Sequence, residues 1–99
     1  MESDGKIQAE ANFLEQNLQA ILFQKQAFEL EKDEISASLK EIDNSGDDVY
    51  KIVGQLMVRA DREKMKKELS EKNKMIDLRI KNLANQEGLL REKLSKIRK

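Results

Sequence analysis

"VYKIVGQLMVR", residues 49–59, interrupts a chain that otherwise reads as two long charged helices. Val49-Tyr50-Lys51-Ile52-Val53 and Leu56-Met57-Val58-Arg59 are short runs of β-branched, aromatic and long apolar residues with strand preference. Gly54-Gln55 between them suits a two-residue turn, with glycine at the first central position of type II′. The predicted hairpin pairs Val53 with Leu56 and Tyr50 with Arg59. A plain loop joining two helices needs only two to eight residues and no strand formers. Alternation puts Val49 and Val53 on one face, and Tyr50, Ile52 and Met57 on the other. A lone two-stranded hairpin is marginal in water and exposes unpaired edges.

The flanks explain why this chain cannot cover those faces itself. Before the hairpin, Ile7, Leu14, Ile21, Phe28, Ile35 and Ile42 recur every seven residues, each of the first five followed four residues later by Ala11, Leu18, Lys25, Lys32 and Leu39. Taken as heptad positions d and a, this is a coiled-coil seam with two lysines in its middle. Their stems are expected to lie on the seam with the ammonium groups lifted to water. After the hairpin, Leu69, Ile76, Leu83, Leu90 and Ile97 repeat the spacing, with Ile80 and Leu94 at alternate positions and polar Asn73 and Glu87 at the others. The helices are expected over residues 6–43 and 61–98, each about 55 Å long at ~1.5 Å per residue. Asp43-Asn44-Ser45-Gly46 is a stop signal in which Asn44 or Gly46 can turn left-handed. Asp61 is a good N-cap, with Glu63 at the positive end of the second helix.

Charge points the same way. Residues 1–48 hold twelve acids and four lysines, a balance of −8, while residues 49–99 hold fifteen bases and seven acids, a balance of +8. Opposite halves of near-equal length predict an antiparallel helical hairpin, formed within one chain or by exchange between two. Both helices then spend their apolar seams on each other, so the strands must be covered by other chains, joined edge to edge into a larger sheet or closed barrel. A milder feature is the back of the first helix, where Phe13, Phe23 and Leu30 stand at c and f positions among Ala20, Ala27 and Ala37. This is either ordinary surface or a weakly apolar face for a partner.

Composition excludes several function classes. With no His, no Cys and four dispersed glycines, the chain lacks the usual general base, thiolate chemistry and a phosphate-cradling loop, and neither enzyme activity, cofactor nor metal is expected. No apolar run reaches the ~20 residues of a membrane span, and no signal-peptide core follows Met1, so a soluble cytoplasmic protein is expected. Lys64, Lys66, Lys67, Lys72 and Lys74 form a basic cluster, but stacking aromatics are missing and the first helix neutralises it, which argues against nucleic acid.

A helix, then "VYKIVGQLMVR", "ADREK" and the "LRIKNLANQEGLLREKL" helix together resemble the beta-type subunit of prefoldin, also called the GIM complex, over almost the whole chain. The "YKIVG" hairpin with the following strand and capped helix is the most specific part, and the 99-residue length is similar to archaeal beta subunits. The resemblance implies a mainly α fold: a two-helix coiled-coil hairpin with a β-hairpin at the bend, in one prefoldin-like domain over residues 1–99. It implies a hexamer of two alpha-type and four beta-type subunits, with β-barrels from which six coiled coils hang. Their tips would hold non-native polypeptides and deliver them, without ATP use, to a group II chaperonin. Val49, Tyr50, Ile52, Val53, Gly54, Leu56, Met57 and Val58 would then mediate oligomerisation. Ile7, Phe13, Leu14, Leu90, Leu94 and Ile97 would hold clients at the tip, though ordinary coil packing accounts equally for Leu94 and Ile97. Lys93, Lys96, Arg98 and Lys99 would contact the chaperonin, unless they merely compensate a helix C-terminus. A coiled-coil adaptor or tether without holding activity is the alternative, and it does not require the hairpin.

Overall fold

The computed structural model describes residues 2–46 and 48–98. Helix α1 spans Glu2–Asn44, strands β1 and β2 span Val49–Val53 and Leu56–Ala60, and helix α2 spans Arg62–Ile97. The two helices lie antiparallel in a rod of 69 × 25 × 15 Å, with the hairpin at the bend. Helix α1 starts before the expected residue 6 and runs through Gly5, because one interior glycine costs only about 1 kcal/mol against a long helix of good formers.

The heptads hold the rod together. On α1 the buried residues are Leu14, Leu18, Ile35 and Ile42, and on α2 Ile76, Leu83 and Leu94, all at the expected seam positions. Leu14, Leu18 and Leu94 form a core at the open end, with Ala11, Leu22, Leu90 and Ile97 packed against it. The seam also begins earlier on α2 than expected: Arg62 and Lys66 are half-buried and extend the three-four spacing back to the bend, with half-buried Met65 beside them. A two-helix coil has open flanks, so the other seam residues are only half-covered, and Ile7 near the tip is 46% exposed.

The seam lysines depart from expectation. Lys25 donates to Glu87 at 3.2 Å, and Lys32 pairs with Asp77. Their heads reach across to the other helix instead of turning to water, because the antiparallel register sets a carboxylate opposite each. Asn73 does not find such a partner: its Oδ1 is buried without a hydrogen bond. Such an atom costs stability in a half-buried seam, consistent with a coil that is not maximally stable.

The junctions are built from side chains. Asp61 is the N-cap of α2, its carboxylate accepting from the amides of Glu63 at 3.0 Å and Lys64 at 3.4 Å. The end of α1 is not the left-handed glycine or asparagine stop that its sequence suggests, since Gly54 alone among the described residues has positive φ. Helical bonding continues from the Ser45 amide to the Glu41 carbonyl at 2.9 Å. Arg62 then donates Nη1 to the carbonyls of Ile42 at 3.1 Å and Ser45 at 2.5 Å. The last turn of α1 has no base of its own, so the first residue of α2 supplies both the donor and the positive charge that a helix C-terminus favours. Arg62→Ala is therefore expected to lower stability by about 1–3 kcal/mol in urea melts, the range for hydrogen bonds from a charged donor to buried carbonyls. Arg62→Lys should recover only part of this, because a single ammonium lacks the planar fork.

Candidate assembly surface and coil tip

Strands β1 and β2 pair antiparallel with Val49 opposite Ala60, Tyr50 opposite Arg59, Lys51 opposite Val58, Ile52 opposite Met57 and Val53 opposite Leu56. This is the register read from the sequence. Gly54 has φ 62° and Gln55 does not have positive φ, which leaves type II′ as the tight turn that fits. The register fixes the faces, because cross-strand partners share a side. One face carries Val49, Lys51, Val53, Leu56, Val58 and Ala60, the other Tyr50, Ile52, Met57 and Arg59. Ile52 is 74% exposed, Met57 71%, Leu56 69%, Val53 53%, Tyr50 50% and Val58 41%. These six account for nearly half of the exposed large apolar side chains among the described residues, concentrated in ten residues of strand. The sheet has two strands, so each leaves an outer edge of backbone donors and acceptors unpaired within the chain. Asp48 and Arg59 pair at 3.0 Å at the base of the hairpin and steady its exit from the coil.

The six tip residues separate into two groups. Leu14 and Leu94 are buried in the open-end core, and Leu90 and Ile97 pack against it. Ile7 and Phe13 are exposed, Phe13 by 61%. Of the basic cluster, Lys96 pairs with Glu92 at 3.5 Å and Arg98 with Glu15 on α1. Lys99 lies outside the described residues. Phe23 and Leu30 on the back of α1 are 72% and 61% exposed. On α2, Met75, Leu78 and Leu89 are also exposed apolar residues, which the sequence reading passed over. Their c and f positions in the same heptad frame were the available signal.

Electrostatics between the helices is mixed in sense. Lys66–Asp43 at 2.6 Å, Lys72–Glu31 at 3.3 Å and Arg98–Glu15 join a basic α2 to an acidic α1, whereas Lys25 and Lys32 run the other way. The guanidinium of Arg91, at 3.0 Å, and then the ammonium of Lys25 hold the Glu87 carboxyl below its ordinary value. Asp43 raises Lys66 by hydrogen bond and charge. The two signs are opposite. The Glu87 contribution is present above the unfolded carboxyl value and is lost as pH falls through the lower folded value. The Lys66 contribution is present below the unfolded amine value and is lost as pH rises through the higher folded one.

The family model described as prefoldin subunit matches residues 5–99. The chain belongs to the prefoldin family. It is 41% identical over 91 residues to prefoldin subunit beta of Methanothrix thermoacetophila, covering 90% of this chain and 76% of that one. Prefoldin subunit beta of Thermococcus onnurineus is 39% identical over 85 residues, covering 84% and 73%. The crystal structure of the prefoldin beta subunit from a Thermococcus strain superposes with a TM-score of 0.87 at 34% identity, covering 94% of this chain and 83% of that one. The beta2 subunit from a Thermococcus strain shares the fold, with a TM-score of 0.79 at 23% identity. The chain is thus a prefoldin chaperone subunit of beta type, with two long helices and a short antiparallel hairpin between them. No helix among the described residues is long and apolar enough to cross a membrane.

Glu87→Gln is expected to lower the melting temperature at neutral pH and to narrow the gap between melts at pH 7 and pH 3, since Gln keeps the shape without the titration. An unchanged gap would show that Glu87 is not among the carboxylates that set the acid limb.

Proposed function

We propose that this chain is one arm of a prefoldin oligomer, joined to other subunits through the β-hairpin and holding non-native polypeptides near the coil tips. The observation that carries the reading is the hairpin: two apolar faces and two open edges that the coil cannot cover. Strand addition by neighbouring chains pairs the edges and buries Tyr50, Ile52, Val53, Leu56, Met57 and Val58, with Val49 and Gly54 completing the strand and turn. In the full reading, four copies join two alpha-type subunits in barrels of strands, and the assembled arms act together.

Client holding needs no nucleotide. Exposed Ile7 and Phe13 offer weak apolar contact at each tip, and fraying would add Leu14, Leu90, Leu94 and Ile97. Several weak contacts acting on one chain gain avidity while each stays readily reversible. Lys93, Lys96, Arg98 and Lys99 are the candidate contact with a group II chaperonin, to which the client would pass. The proposed setting is the cytoplasm.

Ile52→Pro should dissolve the oligomer, because proline removes a backbone donor and does not fit a paired strand. Native mass spectrometry of the chain with an alpha-type subunit checks this: the wild type is expected as four copies with two of the partner, and the variant as free chain with helicity retained. A helical variant that still assembles would favour the coiled-coil adaptor. Aggregation of an unfolded protein should be suppressed by the wild-type assembly and not by the variant.

A further inference from the structure

The chain has no cysteine and four methionines, so an oxidant that acts on sulfur meets only thioethers. Met1 lies outside the described residues, and Met65 is half-buried beside the bend. Met75 and Met57 stand in the open, 60% and 71% exposed. Their settings differ. Met75 lies beside Phe28, Ile76 and Arg79, about 20 Å along α2 from the strands. Met57 is in β2, directly opposite Ile52, with Tyr50 and Arg59 on the same face. That cross-strand pair holds the two most exposed large apolar side chains of the hairpin. The one thioether of the hairpin therefore sits in the middle of the face that the single chain leaves uncovered.

We propose that Met57 is an oxidation site that controls assembly: peroxide converts its thioether to the sulfoxide in the free chain, and the oxidised hairpin no longer joins neighbouring strands. The inference rests on the assembly reading proposed above. One oxygen atom passes from hydrogen peroxide to the Met57 Sδ. The S–O bond forms as the peroxide O–O bond breaks, the sulfur gives up two electrons, and water leaves. A methionine sulfoxide reductase reverses the step, with a dithiol oxidised to a disulfide and the oxygen released as water. The thioether is flexible and apolar, suited to filling gaps between packed strands. The sulfoxide oxygen is a polar acceptor. Ile52 opposite offers it no donor, and Arg59 on the same face is engaged by Asp48. Burial against the apolar strands of other chains leaves that oxygen without a partner, which weakens association by about tenfold for each copy. In the free chain the oxygen stays in water, and Met57 takes no part in the seam, so the coil is unaffected. Assembly covers the same face and takes the sulfur out of reach of the oxidant. Oxidation therefore stops new assembly and spares oligomers already formed.

The test uses the full chain, its alpha-type partner, hydrogen peroxide and native mass spectrometry, with fragment mapping to place the added oxygen. Free chain treated first and then mixed is expected to assemble at least about tenfold less well than untreated chain, with helicity unchanged. Within that one mixture, unassembled chains should carry the oxygen on Met57 and assembled chains should not, whatever the state of Met75. Peroxide added after assembly should still oxidise Met75 and leave Met57 and the oligomer intact. Met57→Leu should assemble after treatment as it does before, and Met75→Leu should remain sensitive. A sulfoxide reductase with dithiothreitol should restore the treated wild type. The inference is overturned if Met57 is oxidised equally in the assembled and unassembled pools, or if treatment blocks Met57→Leu as it blocks the wild type. Comparing the two pools needs no variant, so it decides the matter even where untreated Met57→Leu assembles poorly. Untreated wild type that does not assemble with the partner would remove the assembly reading itself, and the switch with it.

Discussion

Two helices packed alone can bury only one stripe of each. Every other feature of this molecule follows from that limit. The stripes of α1 and α2 are used on each other, with Leu14, Leu18, Ile35, Ile42, Ile76, Leu83 and Leu94 at the centre. No third element folds back on the hairpin, so Ile52, Met57 and Leu56 stand in water within the single chain. In a larger globular domain such residues would have been enclosed by a third element. That shortage is in keeping with a prefoldin subunit, which works in an oligomer with other subunits.

The seam is also deliberately uneven. The Lys25–Glu87 pair and the unpaired Oδ1 of Asn73 interrupt it where leucines would have made a stronger coil. Ion pairs at the margin of a seam contribute little to strength, and their value lies more in register. A slip along the coil would part Lys25 from Glu87 and Lys32 from Asp77 together. Register in turn decides where Arg62 meets the end of α1, and therefore how the strands leave the bend.

Much of this was legible in the sequence because it is periodic or local. A seven-residue repeat without a miss in α1 names the seam, and Gly54 between two runs of strand formers names both the turn and the pairing of Tyr50 with Arg59. What was not legible depends on which side chains meet across the two helices. Arg62 lies far from Ile42 along the chain, and only the antiparallel docking turns it into the cap of α1, in place of the left-handed Asn44 or Gly46 that local signals suggest. The partners of Lys25 and Lys32 depend on the same docking. At the tip, heptad position marks Leu14, Leu90, Leu94 and Ile97 as seam residues, and hydrophobicity alone does not separate them from exposed Ile7 and Phe13. The family resemblance named residues at the open end of the rod. The division there between core and surface came from burial.

Length gives the Arg62 clamp a mechanical meaning. Helix α1, at 43 residues, is a lever of about 65 Å pivoted at the bend. A tilt of about 10° at the pivot sweeps the far end through about 11 Å, more than the diameter of a helix backbone. Small changes in the angle at which α1 and α2 leave the strands are therefore magnified into large displacements of the rod's open end. Arg62, which ties two carbonyls of α1 to the start of α2 at that pivot, therefore bears on the position of an end of the rod about 65 Å away.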